Sequence, residues 1–262
     1  LLSIIIPKVL KSLQGQRFMK WGFGNFKFSR PIRWIVSLYN SDLLEFSLKD
    51  IHNELLIGNI SRGHRLFKNQ ISINHPDIYI RLLEESGVIV EREVRKEFIL
   101  NQIKNTSNKL ALNADLPEPL INELTDLVES PNLILGEFDR SFLSLPAEVL
   151  CIVMKNHQRY IPLFKVTENI DKLQLNSENI LSTKFLCISN GLLEASASIQ
   201  RGNENVLKAR FADAKFFIAS DKKFSCEERN LKIKNISFIK GLGSLFDRVT
   251  RIEFISEKIF NQ

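Results

Sequence analysis

The sequence predicts an α+β fold: a β-rich N-terminal part with mostly antiparallel strands, followed by a part that mixes helices and strands. Three observations predict it. Residues 26–39, FKFSRPIRWIVSLY, alternate with period two. Phe26, Phe28, Ile32, Trp34, Val36 and Leu38 share one face, while Lys27, Ser29, Arg33 and Ser37 share the other, the pattern of a half-buried strand. From Pro76 onward the apolar period becomes helical. Beyond residue 130, strand-length apolar runs (NLILGEF, YIPLFKV, KFLCISN) alternate with helical stretches.

Taken in order, the first 75 residues form the β-rich part. Within the 26–39 run, Arg30 falls on the apolar face and Pro31 interrupts the ladder, so this is an edge strand or a bulge between two strands. A turn at Gly22-Phe23-Gly24-Asn25 precedes it, and further short strands are expected at 44–48, 55–60 and 71–73. Residues 76–130 form a helical segment. PDIYIRLLEES is a helix closed by Gly87. EREVRKEFILNQIKNTSNKLAL is a second, with Val94, Phe98 and Ile99 on its apolar side, and PEPLINELTDLVE is a third.

Residues 131–239 form the mixed part. NLILGEF is a strand, and LPAEVLCIVMKNHQ begins a helix with Pro146 in its first turn. YIPLFKV and KFLCISN look like paired strands separated by the polar excursion TENIDKLQLNSENILST. A long basic helix follows near 203–219, with Gly202-Asn203 as its cap and Leu207, Phe211, Ala214 and Ile218 as its buried stripe. Residues 240–262 start a further helical region near 244. The chain begins without Met inside an apolar stretch and ends in a helical pattern with no stop signal, so it reads as an internal piece of a longer polypeptide.

Composition narrows the function classes. The chain has 262 residues, 44% of them hydrophobic, and a net charge of +6. That is enough apolar material for a real core, and a basic excess compatible with an anionic partner. No apolar run is long enough to span a bilayer. The three cysteines are widely spaced, and Cys151 and Cys187 lie inside apolar runs, where thiols behave as small buried hydrophobes. His52, His64, His75 and His157 are scattered, with no ligand spacing for a metal. There is no P-loop, dinucleotide fingerprint or nucleophile elbow.

The stretches that can carry chemistry are basic and aromatic. RFMKWGFGNFKFSRPIRW sets Lys20, Lys27, Arg30 and Arg33 beside Trp21, Phe26 and Trp34, groups that pair with phosphate and stack on bases. ISRGHRLF packs Arg62, His64 and Arg65 around Gly63. The KNHQRY cluster ends a core helix with Lys155, His157, Gln158, Arg159 and Tyr160. Two of its cations are explained by the helix dipole, while the others add recognition groups. Arg201, Lys208 and Arg210 belong to the long helix, where Lys208, Lys215 and Lys222 line up and Arg210 can pair with Asp213. Lys240 and two glycines precede the last helix, an arrangement whose amides can hold an anion. Each stretch has a plainer reading as a solvated face, and the paired carboxylates Glu84-Glu85 and Glu227-Glu228 leave dispersed acid–base chemistry open.

These same stretches resemble the beta subunit of the bacterial two-subunit glycyl-tRNA synthetase. The matching pieces are IIIPKVL, FMKWG, FKFSRPIRWIVSL, SRGHRLF, LLEESGVIVEREVRKEFI, LVESPNLILGEFDRSFLSLPAEVLCIVMKNHQRYIPLF, FLCISNG, RGNENVLKARFADAKFF and LGSLFDRVTRI, in family order across nearly the whole chain. The usual Met-Arg-Trp-Gly appears as Met19-Lys20-Trp21-Gly22, and the usual Arg-Leu-Ala-Asp-Ala as Arg210 to Ala214. The resemblance implies an alpha-two, beta-two glycine–tRNA ligase whose alpha subunit binds glycine and ATP, with the beta subunit holding tRNA. An HD-type domain and an anticodon-binding domain would follow this segment. It implies no membrane, no metal, no cofactor in this piece, and a cytoplasmic or organellar-stromal setting.

On that reading the segment is inactive alone and positions tRNA through Arg30, Arg33, Arg62, Arg65, His157, Arg159, Arg201, Lys208 and Arg210. Two alternatives stay open: an assembly segment whose basic patches meet the alpha chain, and a free-standing enzyme with dispersed carboxylates.

Overall fold

The computed structural model describes residues 1–21, 27–48, 55–67, 69–166 and 177–261. The fold is α+β. It divides into two compact units, Leu1–Asn205 and Val206–Gln262. The turn expected at 22–25, Phe26, His52 and most of the polar excursion (167–176) lie outside the described residues.

The first unit opens with a helix where only an apolar stretch was evident: α1 (Leu2–Ser12) buries none of its residues. Among the described residues eight short strands follow: β1 (Met19–Lys20), β2 (Lys27–Phe28), β3 (Trp34–Val36), β4 (Leu38–Tyr39), β5 (Asp42–Leu43), β6 (Leu56–Gly58), β7 (Ile60–Arg62) and β8 (Gln70–Ser72). They pair as four two-stranded ladders. The β1–β2, β4–β5 and β7–β8 ladders are antiparallel, and β3–β6 is parallel. The expected strand at 44–48 is absent, because the β4–β5 hairpin turns earlier, at the positive-φ Asn40. The strict two-faced pattern also fails at Ser37, which is buried; its amide donates to Gly58 O. A small core of Ile71, Ile73 and Leu83, flanked by Val36, Leu38, Tyr79 and Val88, holds these ladders against α2 (Tyr79–Glu85). Gly87, at φ +78°, ends that helix as expected.

The main core lies further along the chain. It is built by α3 (Arg92–Leu110), β9 (Leu112–Ala114), α4 (Glu118–Leu127), β10 (Asn132–Glu137), α5 (Ala147–Ile152), β11 (Ile161–Lys165), α6 (Ser177–Ile180) and β12 (Leu181–Ser189). The strands form one antiparallel sheet in the order β10-β12-β11-β9. Helices α3 and α4 pack on it through Ile99, Ile103, Leu120, Ile121 and Leu124, which meet Ile161, Leu163 and Leu186. Burying each such side chain is worth about 1.5–3 kcal/mol. The buried face of α3 is therefore the i, i+4 stripe Ile99, Ile103 and Ser107. Val94 and Phe98, expected on that face, are exposed.

The long helix α7 (Ser196–Asp221) starts earlier than Gly202-Asn203. Those two residues do not cap it, because the polar groups of its first turns bind the sheet instead. Ser196 Oγ accepts from Asn132, Asn203 donates to Cys187 Sγ, and Glu204 accepts from the Glu137 amide. Leu207 and Phe211 are fully buried, as the stripe predicts. The second unit continues with α8 (Cys226–Lys232) and α9 (Leu245–Phe260), each begun by a serine capping box. No residue of α9 is buried. Among the described residues, no helix is long and apolar enough to cross a membrane.

Candidate nucleic-acid interface

Strand β3 and strand β7 lie side by side and bring two distant basic stretches together. Arg33 precedes β3, Trp34 begins it, Arg62 ends β7, and Gly63-His64-Arg65 turns away from it. The turn is pinned to the end of α2: the His64 amide donates to Ser86 O at 2.9 Å, and the Gly63 amide to Asn69 O at 3.3 Å. A Cβ at Gly63 would come within 2.8 Å of Ser86 O, so this approach admits only glycine.

Together with Tyr79, Val88–Val90, Arg95 and the 126–129 segment, these residues line an open cleft of about 1000 Å³. Arg33, Arg62 and Arg65 are exposed, and no acidic side chain among the described residues pairs with any of them. The Arg62 guanidinium lies over the Trp34 ring, 5.2 Å from its centroid. Arg95 is committed to the backbone, donating to Thr125 O at 2.8 Å and Ile89 O at 2.6 Å. Of the two carboxylates on the rim, Asp126 is held by Arg92 at 2.7 Å, a hydrogen bond that lowers its pKa. The floor contains His64, 1% exposed, its ring edge-on to Phe67. Its Nδ1 accepts from the Leu66 amide at 3.5 Å, and its Nε2 has no partner among the described residues.

The other candidates sit elsewhere. Arg30 is exposed outside the cleft lining. The KNHQRY cluster forms a π-helical turn, Val153–Gln158, after α5, and is closed by Arg159 at φ +57°. Its cations are matched by acids: Lys155 Nζ lies 2.5 Å from Asp115 Oδ2, and Arg159 Nε lies 2.9 Å from Glu123 Oε1. Tyr160 is not an exposed tip of this cluster. It is buried and stacked on Phe185, and burial pushes its pKa up to about 12. His157 is exposed.

On α7, Arg201 and Lys208 are exposed, and Arg210 lies 3.6 Å from Asp213, as its spacing predicts. The amides before α9 are already served by the protein: the Ser244 amide donates to Asp247 Oδ2 at 2.7 Å, which lowers that carboxyl's pKa. Gly243, at φ +79°, lets the loop pass over this carboxylate. Glu85 pairs with Arg81, Glu228 serves the α8 cap, and Glu227 is hydrogen-bonded at the same helix start, which lowers its pKa, so three of the four adjacent carboxylates have structural partners.

The structure thus gathers Arg33, Arg62 and Arg65 and leaves the other six candidates dispersed. Arg95 and the aromatic wall around Trp34 join them through tertiary packing alone; on a helix as charged as α3, no local signal marks Arg95. Cys151 and Cys187 are buried, and desolvation raises each thiol to about pKa 11, so neither is a ready nucleophile. Among the described residues, no cluster of His, Cys, Asp and Glu can hold a metal ion.

Residues 1–262 match the sequence profile of the family described as "Glycyl-tRNA synthetase beta subunit". The chain is 37% identical over 263 residues to the "Glycine--tRNA ligase beta subunit" of Trichodesmium erythraeum, covering all of this chain and 36% of that protein. It is 36% identical over 254 residues to the protein of the same name from Halothermothrix orenii, covering 97% of this chain and 35% of the relative. The Bacillus subtilis protein of that name is 35% identical over 251 residues, with coverages of 96% and 35%. The chain therefore spans about a third of the length of these relatives. By the match of its whole length, it belongs to the glycyl-tRNA synthetase beta subunit family.

Proposed function

We propose that this chain is part of the beta subunit of a two-subunit glycine–tRNA ligase and positions tRNA for ATP-dependent glycylation by the alpha subunit. The observation that carries the reading is the cleft, where three arginines with no acidic partner among the described residues face solvent around an indole. Guanidinium forks grip phosphate without reading sequence, and holding the acceptor end in place lowers the entropic cost of the reaction. ATP and glycine belong to the alpha subunit, and this chain contributes no reacting group. An alpha-two, beta-two assembly and a cytoplasmic or organellar-stromal location accompany the reading.

A second reading, an assembly segment with no tRNA contact, is favoured by the apolar helix surfaces. α1 exposes Leu2, Ile4, Ile5 and Val9, and α9 exposes Ile252, Phe254, Ile255 and Ile259.

Charge reversal separates the two. Arg65→Glu in the full-length beta chain, assembled with the alpha subunit, should weaken tRNA binding at least tenfold and reduce its salt slope by about one. The alpha–beta complex should persist on gel filtration. Loss of the complex with tRNA affinity retained would establish the assembly reading instead.

A further inference from the structure

The cleft has a feature that backbone gripping does not need. Nonspecific phosphate binding is served by exposed arginines on any convex surface. Here they rim a concavity with an aromatic wall, Trp34 and Tyr79, and with a buried histidine beneath it. The His64 ring accepts at Nδ1, so in its neutral tautomer the proton sits on Nε2. That donor is sealed from solvent and has no acceptor among the described residues. A buried donor left unsatisfied is costly, and in a native fold it marks a place where an oxygen from elsewhere is expected.

The aromatic wall is in a comparable state. The Arg62 guanidinium covers the Trp34 ring, and no acidic side chain among the described residues anchors it there. A planar cation of this kind occupies the position a stacked base would take, and it can swing to a phosphate when the base arrives.

We propose that the cleft is a pocket for one unpaired nucleotide unit. The base lies on Trp34 in place of the Arg62 guanidinium. The phosphate is held by Arg33, Arg65 and the displaced Arg62, and an oxygen of the unit accepts from His64 Nε2. A volume of about 1000 Å³ accommodates a nucleotide together with its neighbour's phosphate. Duplex RNA does not fit, because its base faces are stacked away and only a splayed-out base can reach the indole. The pocket recognises its ligand by π-face and charge, with few groups placed to read one base from another. This assignment rests on the tRNA reading for its RNA source; a free nucleotide offers the same chemistry.

The test uses the full-length beta chain assembled with the alpha subunit. Binding of a labelled single-stranded hexanucleotide, a blunt-ended RNA duplex of two strands, AMP and tRNA is compared for wild type, Trp34→Leu, Trp34→Phe, His64→Gln and Arg65→Ala. Trp34→Leu should weaken the hexanucleotide roughly tenfold and leave the duplex within twofold. Trp34→Phe, which keeps a flat ring, should recover most of the loss and rules out a folding defect as its cause. His64→Gln, which keeps a donor amide, should cost less than Trp34→Leu.

Equal losses for duplex and hexanucleotide, or no loss for the hexanucleotide and none for AMP in Trp34→Leu, would overturn the pocket. If that happens while Arg65→Ala still weakens tRNA, backbone gripping stands and only the pocket fails. If AMP binds in a Trp34-dependent way while the hexanucleotide does not, the pocket stands with a free nucleotide as its source, and the tRNA reading fails for this cleft.

Discussion

The two parts of the first unit treat their charges in opposite ways. Around the four-stranded sheet, cations are spent on structure. Lys155 is tied to Asp115, Arg159 to Glu123, and Arg92 to Asp126, and Arg95 is tied to three backbone carbonyls. In the small ladders of residues 27–90, Arg33, Arg62 and Arg65 have no such partners among the described residues, and the core cluster beneath them centres on the buried Ile71, Ile73 and Leu83. The sheet region gains stability from apolar burial and uses ion pairs to fix helix ends. The ladder region leaves these three arginines without a carboxylate among the described residues, although Arg81 pairs with Glu85, and it is held by a smaller core. Cationic residues are equally frequent in both, so abundance says little; the presence or absence of a nearby carboxylate separates structural from ligand-facing charge.

The strongest way to sharpen that contrast is to cut each core. Phe185 is fully buried, stacks on Tyr160 and sits against Gly136. Phe185→Ala should cost about 3–5 kcal/mol, visible as a shifted urea midpoint. Ile73→Val in the ladder core removes one methylene and should cost about 0.5–1.5 kcal/mol. If the ladder region were held as firmly as the sheet, amide exchange in β7 and β8 would be as slow as in β12; faster exchange there by at least tenfold is expected.

Much of the sheet region was legible in the sequence because its signals are local. NLILGEF, YIPLFKV and KFLCISN are apolar runs of strand length, and they became β10, β11 and β12. The last helix, expected to start near 244, begins at Leu245 behind a Ser244–Asp247 capping box. The misses share one cause, competition from tertiary partners. Tyr160 carries a polar tip, yet its ring was worth more against Phe185. Gly202-Asn203 has cap chemistry, but Asn203 finds Cys187 and the helix runs through. Val94 and Phe98 suit a buried face, but the sheet meets the stripe one turn further on. The cleft itself was only half legible. Its two basic stretches were visible, but their juxtaposition depends on a parallel β3–β6 ladder and a β3–β7 contact that no periodicity encodes.

Alkaline titration probes the sheet region next. Burial raises Cys151 and Cys187 from an ordinary value near 9 to about 11, because the thiolate is disfavoured in the core. A raised folded-state pKa contributes stability that is complete below pH 9 and is lost as pH rises through 11. Each thiol should add a slope of at most about 1.4 kcal/mol per pH unit in that window. The Cys151→Ala, Cys187→Ala double variant should lose this limb and retain a later one from Tyr160, between about pH 10 and 12. An unchanged slope in the double variant would mean that the thiols open to solvent before the fold is lost, and the sheet region would then be looser than its packing implies.

The smallest effect bears most directly on the charge comparison. Arg159 closes the π-turn in the left-handed region, donates to Asn156 O and pairs with Glu123, with about half of each partner exposed. Exposed pairs are worth little, so Arg159→Gln should cost only about 0.5 kcal/mol. Arg159→Gly would lose the same pair but relieve the backbone, and the two variants should differ by no more than about 1 kcal/mol. Neither should change tRNA affinity by more than twofold, because the guanidinium is already held by a carboxylate. Arg65→Gln should do the reverse, leaving the unfolding midpoint in place and weakening RNA. If Arg159→Gln lowers tRNA affinity as much as Arg65→Gln does, then a carboxylate neighbour does not exclude a cation from ligand contact. The π-turn would then have to be counted with the cleft as part of one longer binding surface.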